Sequence, residues 1–390
     1  MRIAFNICSV IGTSIAGGVR RYCTELIREF VRIGRGHRFD FWWVAWDATY
    51  APRTSAELWE AAQGRFGSRV VRFPSHLFEA PWFTRLLGWA PRELALADRL
   101  TGGADIFHTP AGFLPRGRRT RTVITIHDVA PVLWPEWMPP REYRWFLSML
   151  RSARWADALI ADSEATKRDL IEHLGFPADR IYTVYLGVGP EFAPVEDAEA
   201  LARVRSELHL GPRPYFLMLS SIGPRKNLVR VLEAFESLVP RSDFEPCLVV
   251  AGSNLWHYED LAARLRDSPA KERIIVTGHV PEALLPALIA GCEALVFPSL
   301  YEGFGLPALE AMACGRPVLG STAASLPEVI GPAGLLVDPY SVEEIRQAMW
   351  TLAQDEALRQ RLGQLGRERA RTFTWARTAA QTLEVYEAIA

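Results

Sequence analysis

Lysine is scarce in this chain of 390 residues: Lys167, Lys226 and Lys271 are the three among 44 basic side chains. An excess of either charge is missing too. The 45 acidic side chains leave a net charge of -1, which excludes a protein that holds nucleic acid by bulk charge. The five cysteines (Cys8, Cys23, Cys247, Cys292, Cys314) form no C-x-x-C pair, which suits neither a disulfide framework nor a zinc site and fits a reducing cytoplasm. No stretch approaches the ~20 apolar residues of a membrane helix. The uncharged run from Ile3 to Val19 is broken by Asn6, Ser9, Gly12, Thr13, Ser14, Gly17 and Gly18, so it reads as a strand and a glycine loop rather than a signal peptide. Repeats and low-complexity tracts are absent. So are G-x-S-x-G, H-E-x-x-H and Walker A patterns, which argues against hydrolase, metalloprotease and P-loop chemistry.

What is present is an ordinary globular composition, 49% apolar and 23% charged, in a length that suits two domains. The halves differ. Residues 1–190 carry 25 basic and 19 acidic side chains, residues 191–390 carry 19 and 26, and 10 of the 13 tryptophans lie in the first half. Short apolar runs alternate with amphipathic helical patterns, as in parallel sheets joined by helices. The first half predicts strands at Arg2–Val10, Phe39–Ala45, Arg69–Phe73, Asp105–His108, Thr122–Ile126, Ala158–Asp162 and Ile181–Tyr185. A boundary falls in the Gly- and Pro-rich stretch Leu186–Val195. The pattern then restarts with strands at Tyr215–Ser220, Leu248–Ala251, Ile274–Thr277, Ala294–Pro298, Pro317–Gly320 and Gly334–Val337. A helix at Leu228–Leu238 shows Leu228, Val231, Leu232, Phe235 and Leu238 on one face. The reading is α/β: two doubly wound domains in tandem, facing a central cleft because ligands of such sheets sit outside the carboxyl ends of the strands.

Several loops at those ends carry candidate chemistry. Gly17 and Gly18 lie between a strand and a helix, where paired glycines bring backbone N–H groups to an anion or merely serve a turn of positive φ. Arg225 and Lys226, in Gly223-Pro224-Arg225-Lys226-Asn227, project from a strand end with Asn227 placed to cap the next helix. They suit a diphosphate, the alternative being a solvated face. In Tyr301-Glu302-Gly303-Phe304-Gly305-Leu306-Pro307-Ala308-Leu309-Glu310, two carboxylates flank a glycine turn that enters a helix at Pro307. Glu302 and Glu310 can accept from the hydroxyls of a polyhydroxy compound while the amides take an anion; a carboxylate near a helix start can also be purely electrostatic. Gly303 to Ala308 also matches the G-x-G-x-x-A dinucleotide fingerprint, with Glu328 twenty residues on, but it sits late in its domain. His108 and His127 both end strands, with Asp128 able to orient groups beside His127, although a lone His is more often structural.

Together these segments resemble the retaining, nucleotide-sugar-dependent glycosyltransferases of family 4, which have the GT-B fold of two Rossmann-like domains. The segments AGGVRRY, DIFHTP, TIHD, ADSEATKRDL, GPRKN and YEGFGLPALEAMACGRPV carry the resemblance nearly end to end, the last as the family's E-x7-E motif. It implies an acceptor domain at residues 1–188 and a donor domain at 189–374, with a C-terminal helix, 375–390, returning to the first. It puts Gly17 and Gly18 near the donor phosphates and Arg225 and Lys226 on the diphosphate, stabilising the leaving group. Glu302 would meet the donor sugar, Gly303, Phe304, Gly305 and Leu306 would supply amides, and Glu310 would hold the ribose. His127 would contact the transferred sugar, and His279 and Val280 the base.

The implied catalytic set is His127, Arg225, Lys226 and Glu302, with no cofactor and no metal. Many members with this wording use GDP-mannose and extend bacterial polysaccharide, O-antigen or glycolipid chains. A UDP-sugar donor, an NAD-dependent oxidoreductase and a non-catalytic sugar-nucleotide binder are the rival readings. Pro81–Trp89 and the cluster Arg116, Arg118, Arg119 and Arg121 suit either contact with an anionic inner membrane or a core helix beside a solvated loop.

Overall fold

The computed structural model describes residues 1–7, 17–34, 36–45, 66–72, 94–112, 114–220, 223–241, 243–252 and 259–390. Cys8, residues 14–16, residues 221–222 and the segment Pro81–Trp89 lie outside the described residues. The chain forms two compact units, one of Met1–Gly187 with Trp375–Ala390, the other of Val188–Thr374.

The first unit holds seven parallel strands: β1 (Arg2–Asn6), β2 (Arg38–Ala45), β3 (Phe66–Arg72), β4 (Ile106–Thr109), β5 (Arg121–Ile126), β6 (Ala158–Ala161) and β7 (Ile181–Thr183), in the order β3-β2-β1-β4-β5-β6-β7. The central strands β4 and β6 are buried at every residue, as expected of parallel strands covered on both faces. Strand β4 runs one residue beyond the predicted Asp105–His108, which puts His108 inside the sheet rather than at its end. The helix Gly18–Ile33 buries Tyr22, Cys23, Leu26, Ile27 and Phe30. The C-terminal helix Trp375–Ile389 packs beside it, with the rings of Tyr386 and Phe30 at 6.2 Å and Thr378 Oγ1 donating to the Tyr185 carbonyl at 2.8 Å.

The second unit holds six parallel strands: β8 (Tyr215–Leu219), β9 (Cys247–Ala251), β10 (Ile274–Gly278), β11 (Ala294–Phe297), β12 (Val318–Ser321) and β13 (Gly334–Val337), ordered β10-β9-β8-β11-β12-β13. The helix Leu228–Leu238 buries Leu228, Val231, Leu232, Phe235 and Leu238, the stripe its spacing predicts. Each fully buried side chain of this size contributes about 1.5–3 kcal/mol relative to exposure. The sheet order reverses between β8 and β11, and between β1 and β4 in the first unit. Loops leaving neighbouring strands there diverge to opposite faces and open a crevice at the carboxyl ends. Among the described residues no helix is long and apolar enough to cross a membrane.

Candidate active site

The switch point of the second unit is built from two loops. After β8, Pro224–Lys226 makes a single tight turn that ends at Asn227 in the left-handed region (φ 64°), a conformation Asn tolerates better than most residues. After β11, Glu302 precedes the turn through Gly305 that starts the helix Leu306–Ala313. Gly305 has φ 102°, and a Cβ there would lie 2.7 Å from Leu326 Cδ2, so both conformation and space demand glycine. The loops are joined by the Leu300 N–H donating to the Arg225 carbonyl at 2.8 Å. Asn227 does not cap the following helix with its side chain, contrary to the sequence expectation. In the left-handed conformation its amide is directed across the loops instead, donating to the carbonyls of Pro298 (3.0 Å) and Pro339 (2.6 Å).

This stitching brings three charges together. Lys226 Nζ lies 2.6 Å from Glu302 Oε1, and Arg225 Nη1 lies 2.7 Å from Glu302 Oε2 and 3.0 Å from the Tyr301 carbonyl. Lys226 also stands over the Phe297 ring at 4.9 Å. Glu302 and Lys226 are buried, at 6% and 8% exposure, while the Arg225 side chain keeps 27%. Burial alone would raise the Glu302 pKa, but the Arg225 and Lys226 cations outweigh it and lower it, so the carboxylate stays ionised. Of the two cations at these strand ends Arg225 is the more exposed and so the more reachable donor. Such a cluster can receive a polyanion without first burying an unpaired charge.

The other donor candidates occupy the same unit. Glu310 is buried in the helix Leu306–Ala313, whose N-terminus carries no side-chain cap. Gly303, Phe304 and Gly305 are buried in the turn before it, and Leu306, its first residue, is buried as well. Strand β10 ends at Gly278 (φ 68°), followed by exposed His279 and buried Val280. The dinucleotide-like G-x-G-x-x-A match follows β11 rather than the domain's first strand, β8.

In the first unit, Gly17 has φ 88° with open space beside it, so its backbone conformation, not crowding, calls for glycine; Gly18 is the first residue of the helix. Ile126 of β5 pairs in register with Ala161 of β6, so His127 and Asp162 leave the sheet side by side. His127 Nδ1 lies 2.6 Å from Asp162 Oδ2, and the Tyr22 ring meets the imidazole edge-on at 5.1 Å. Burial opposes the charged imidazole, but the Asp162 carboxylate prevails and raises the His127 pKa. Asp128 does not orient this ring: its Oδ1 accepts the Ala130 N–H at 3.1 Å. The carboxylate bonded to the ring is that of Asp162, which the sequence reading missed. The signal was an acid one residue past a buried strand, in ADSEATKRDL.

His108 departs from expectation. It is fully buried, packs edge-on against Phe5 at 5.0 Å, and bonds through Nε2 to Thr125 Oγ1 at 2.8 Å and through Nδ1 to the Tyr386 hydroxyl. Burial pushes its pKa down to about 3, so it is a neutral core residue rather than a second strand-end histidine. The arginine cluster lies at and just ahead of the start of β5, as the predicted strand Thr122–Ile126 implied. Arg121 begins β5, so the cluster sits at the amino ends of the strands, away from His127. There Asp98 accepts the backbone N–H groups of Arg118 and Arg119 at 2.6 and 2.8 Å, Arg121 pairs with Asp157 at 3.0 Å, and Arg116 stacks on Trp155 at 3.4 Å.

Residues 16–192 match the Glycosyltransferase Family 4 domain, and residues 203–369 match Glycosyl transferases group 1. The chain is 34% identical over 284 residues to O-antigen chain mannosyltransferase B of Escherichia coli, covering 72% of this chain and 74% of that protein. It is 34% identical over 269 residues to the serotype-specific mannosyltransferase WbdA of Escherichia coli, covering 68% of this chain but 33% of that protein, about a third of its length. Its fold is similar to the crystal structure of Anabaena HepE in complex with UDP and glucose, with a TM-score of 0.72 and 18% identity, covering 99% of each chain.

Proposed function

Since this chain belongs to glycosyltransferase family 4 and has the GT-B fold, we propose that it transfers mannose from GDP-mannose, with retention at the anomeric carbon, to a hydroxyl of a growing bacterial glycan such as O-antigen. Two mannosyltransferase relatives support the sugar and the acceptor class. The single observation that carries the chemistry is the Arg225–Lys226–Glu302 cluster at the switch point of the second unit.

In this reading the donor diphosphate settles on Arg225 and Lys226. Glu302, released in part from its cations, accepts from hydroxyls of the sugar. Glu310 holds the ribose, Gly303 to Leu306 supply amides, and Gly17 and Gly18 approach the phosphates. His279 and Val280 border the base through backbone. As the C1–O bond to the diphosphate breaks, negative charge grows on the leaving oxygen, where Arg225 and Lys226 stabilise it electrostatically. The acceptor oxygen bonds to C1 from the same face, and its proton passes to the departing diphosphate. His127 contacts the transferred sugar. No step calls on a metal, so EDTA should leave turnover unchanged.

Incubation with GDP-, UDP- and ADP-sugars, read by mass spectrometry for released nucleotide and extended glycan, tests the donor. The anomeric coupling constant of the product tests retention. Lys226→Ala should lower turnover by roughly 10²-fold or more. A UDP-sugar donor is the second reading, favoured by the UDP and glucose named for the HepE structure. Release of UDP rather than GDP would replace the first reading with it, and NAD reduction without sugar transfer would end both.

A further inference from the structure

Asp162 sits one residue beyond β6 with its side chain 3% exposed, and the one hydrogen bond found for its carboxylate is to His127, leaving Oδ1 without a partner. A carboxylate so buried is costly as an isolated anion and tolerable beside a cation that donates to it. On the other side of the ring, His127 Nε2 is buried and makes no well-formed hydrogen bond, although the Pro110 carbonyl lies close enough to the ring to favour its charged form. The titratable groups facing the ring are Asp162 from the end of β6, Asp128 from its own strand end, Tyr22 from the helix Gly18–Ile33, and His108 from β4. Both carboxylates favour the imidazolium, and so does the nearby Pro110 carbonyl; Tyr22 has its pKa raised far above neutrality by burial, and His108 is held neutral.

We propose that Asp162 is the positioning residue for His127: it holds the Nδ1 proton and orients the ring, favouring its charged form, so that Nε2–H is directed as a donor at an oxygen of the transferred sugar. The proposal rests on the reading of His127 given above. Its logic is that of an acid that orients a histidine by fixing which nitrogen carries the proton. The paired charges sum to zero, so the imidazolium donates without adding net positive charge beside an oxocarbenium-like centre.

The pairing is read directly by NMR titration of the imidazole resonances of the whole protein, with His127→Gln assigning the signal. His127 should titrate above 6.5, its ordinary value, and the Asp162→Asn variant should bring it down. The asparagine amide would donate to Nδ1 and force the neutral proton onto Nε2. In the same variant kcat should fall about 10²-fold, the low end for a positioned proton donor, with the donor KM little changed and the alkaline limb of the pH–rate profile moved to lower pH. A wild-type His127 that titrates below 6.5 overturns the proposal, and this holds even if Asp162→Asn does not fold. A folded variant whose titration and alkaline limb both stay in place overturns it as well. Failure of transfer from every nucleotide sugar would sink the functional reading instead, because the titration needs no substrate.

Discussion

Replacing Glu302 by Gln separates the electrostatics of the donor site from its shape. The substitution is nearly isosteric, and it removes the anion that Lys226 and Arg225 share at 2.6 and 2.7 Å. Lys226, at 8% exposure, then loses the carboxylate it meets at 2.6 Å. Breaking a buried pair in this way costs roughly 3–5 kcal/mol, and the remaining amide oxygen keeps the effect near the low end. For a unit of this size about 3 kcal/mol lowers Tm by about 6–12 °C. A nucleoside diphosphate resupplies the missing negative charge. The variant should therefore bind GDP or UDP more tightly than the wild type, and saturating nucleotide should recover most of the lost Tm. Turnover should still fall by roughly 10²-fold or more, because the carboxylate that meets the sugar is gone. Scanning fluorimetry with and without nucleotide, isothermal titration calorimetry and the release assay measure the three quantities. An unchanged Tm together with unchanged nucleotide affinity would refute the argument that Glu302 neutralises the two cations. Near-normal turnover would refute its role in transfer.

Asn227→Ala removes two hydrogen bonds to the buried carbonyls of Pro298 and Pro339 and should cost about 2–3 kcal/mol in denaturant unfolding, while raising the donor KM through a loosened Arg225 loop. Gly305→Ala forces a Cβ to 2.7 Å from Leu326 Cδ2 at φ 102°; it should destabilise by about 1–3 kcal/mol and reduce turnover by displacing Glu302. His108 binds its proton only near pH 3 when folded but near 6.5 when unfolded, so its contribution to stability is present above 6.5 and lost as pH falls from 6.5 toward 3. In His108→Gln the stability measured by urea unfolding should fall less steeply across that window than in the wild type; equal slopes would show that the group does not titrate as its burial demands.

The repeating strand and helix pattern, the stripe on Leu228–Leu238 and the candidate positions at strand ends were all legible in the sequence. Each depends on side-chain periodicity or turn chemistry over a few residues, which neighbouring residues carry. Arg225, Lys226 and Glu302 were each legible as a residue, but their union was not, because it spans 76 residues and depends on β8 and β11 being neighbours in the sheet. Asp162 escaped for the same reason: its link to His127 depends on the parallel register of β5 and β6. The tertiary structure also decided whether a histidine near a strand end faces a site or the core. Extending β4 to Thr109 put His108 in the core rather than at a strand end. Local sequence thus determined the family of folds and the inventory of reactive groups. Which of those groups face one another was left to crossover topology and register, since these bring together residues that share no local pattern.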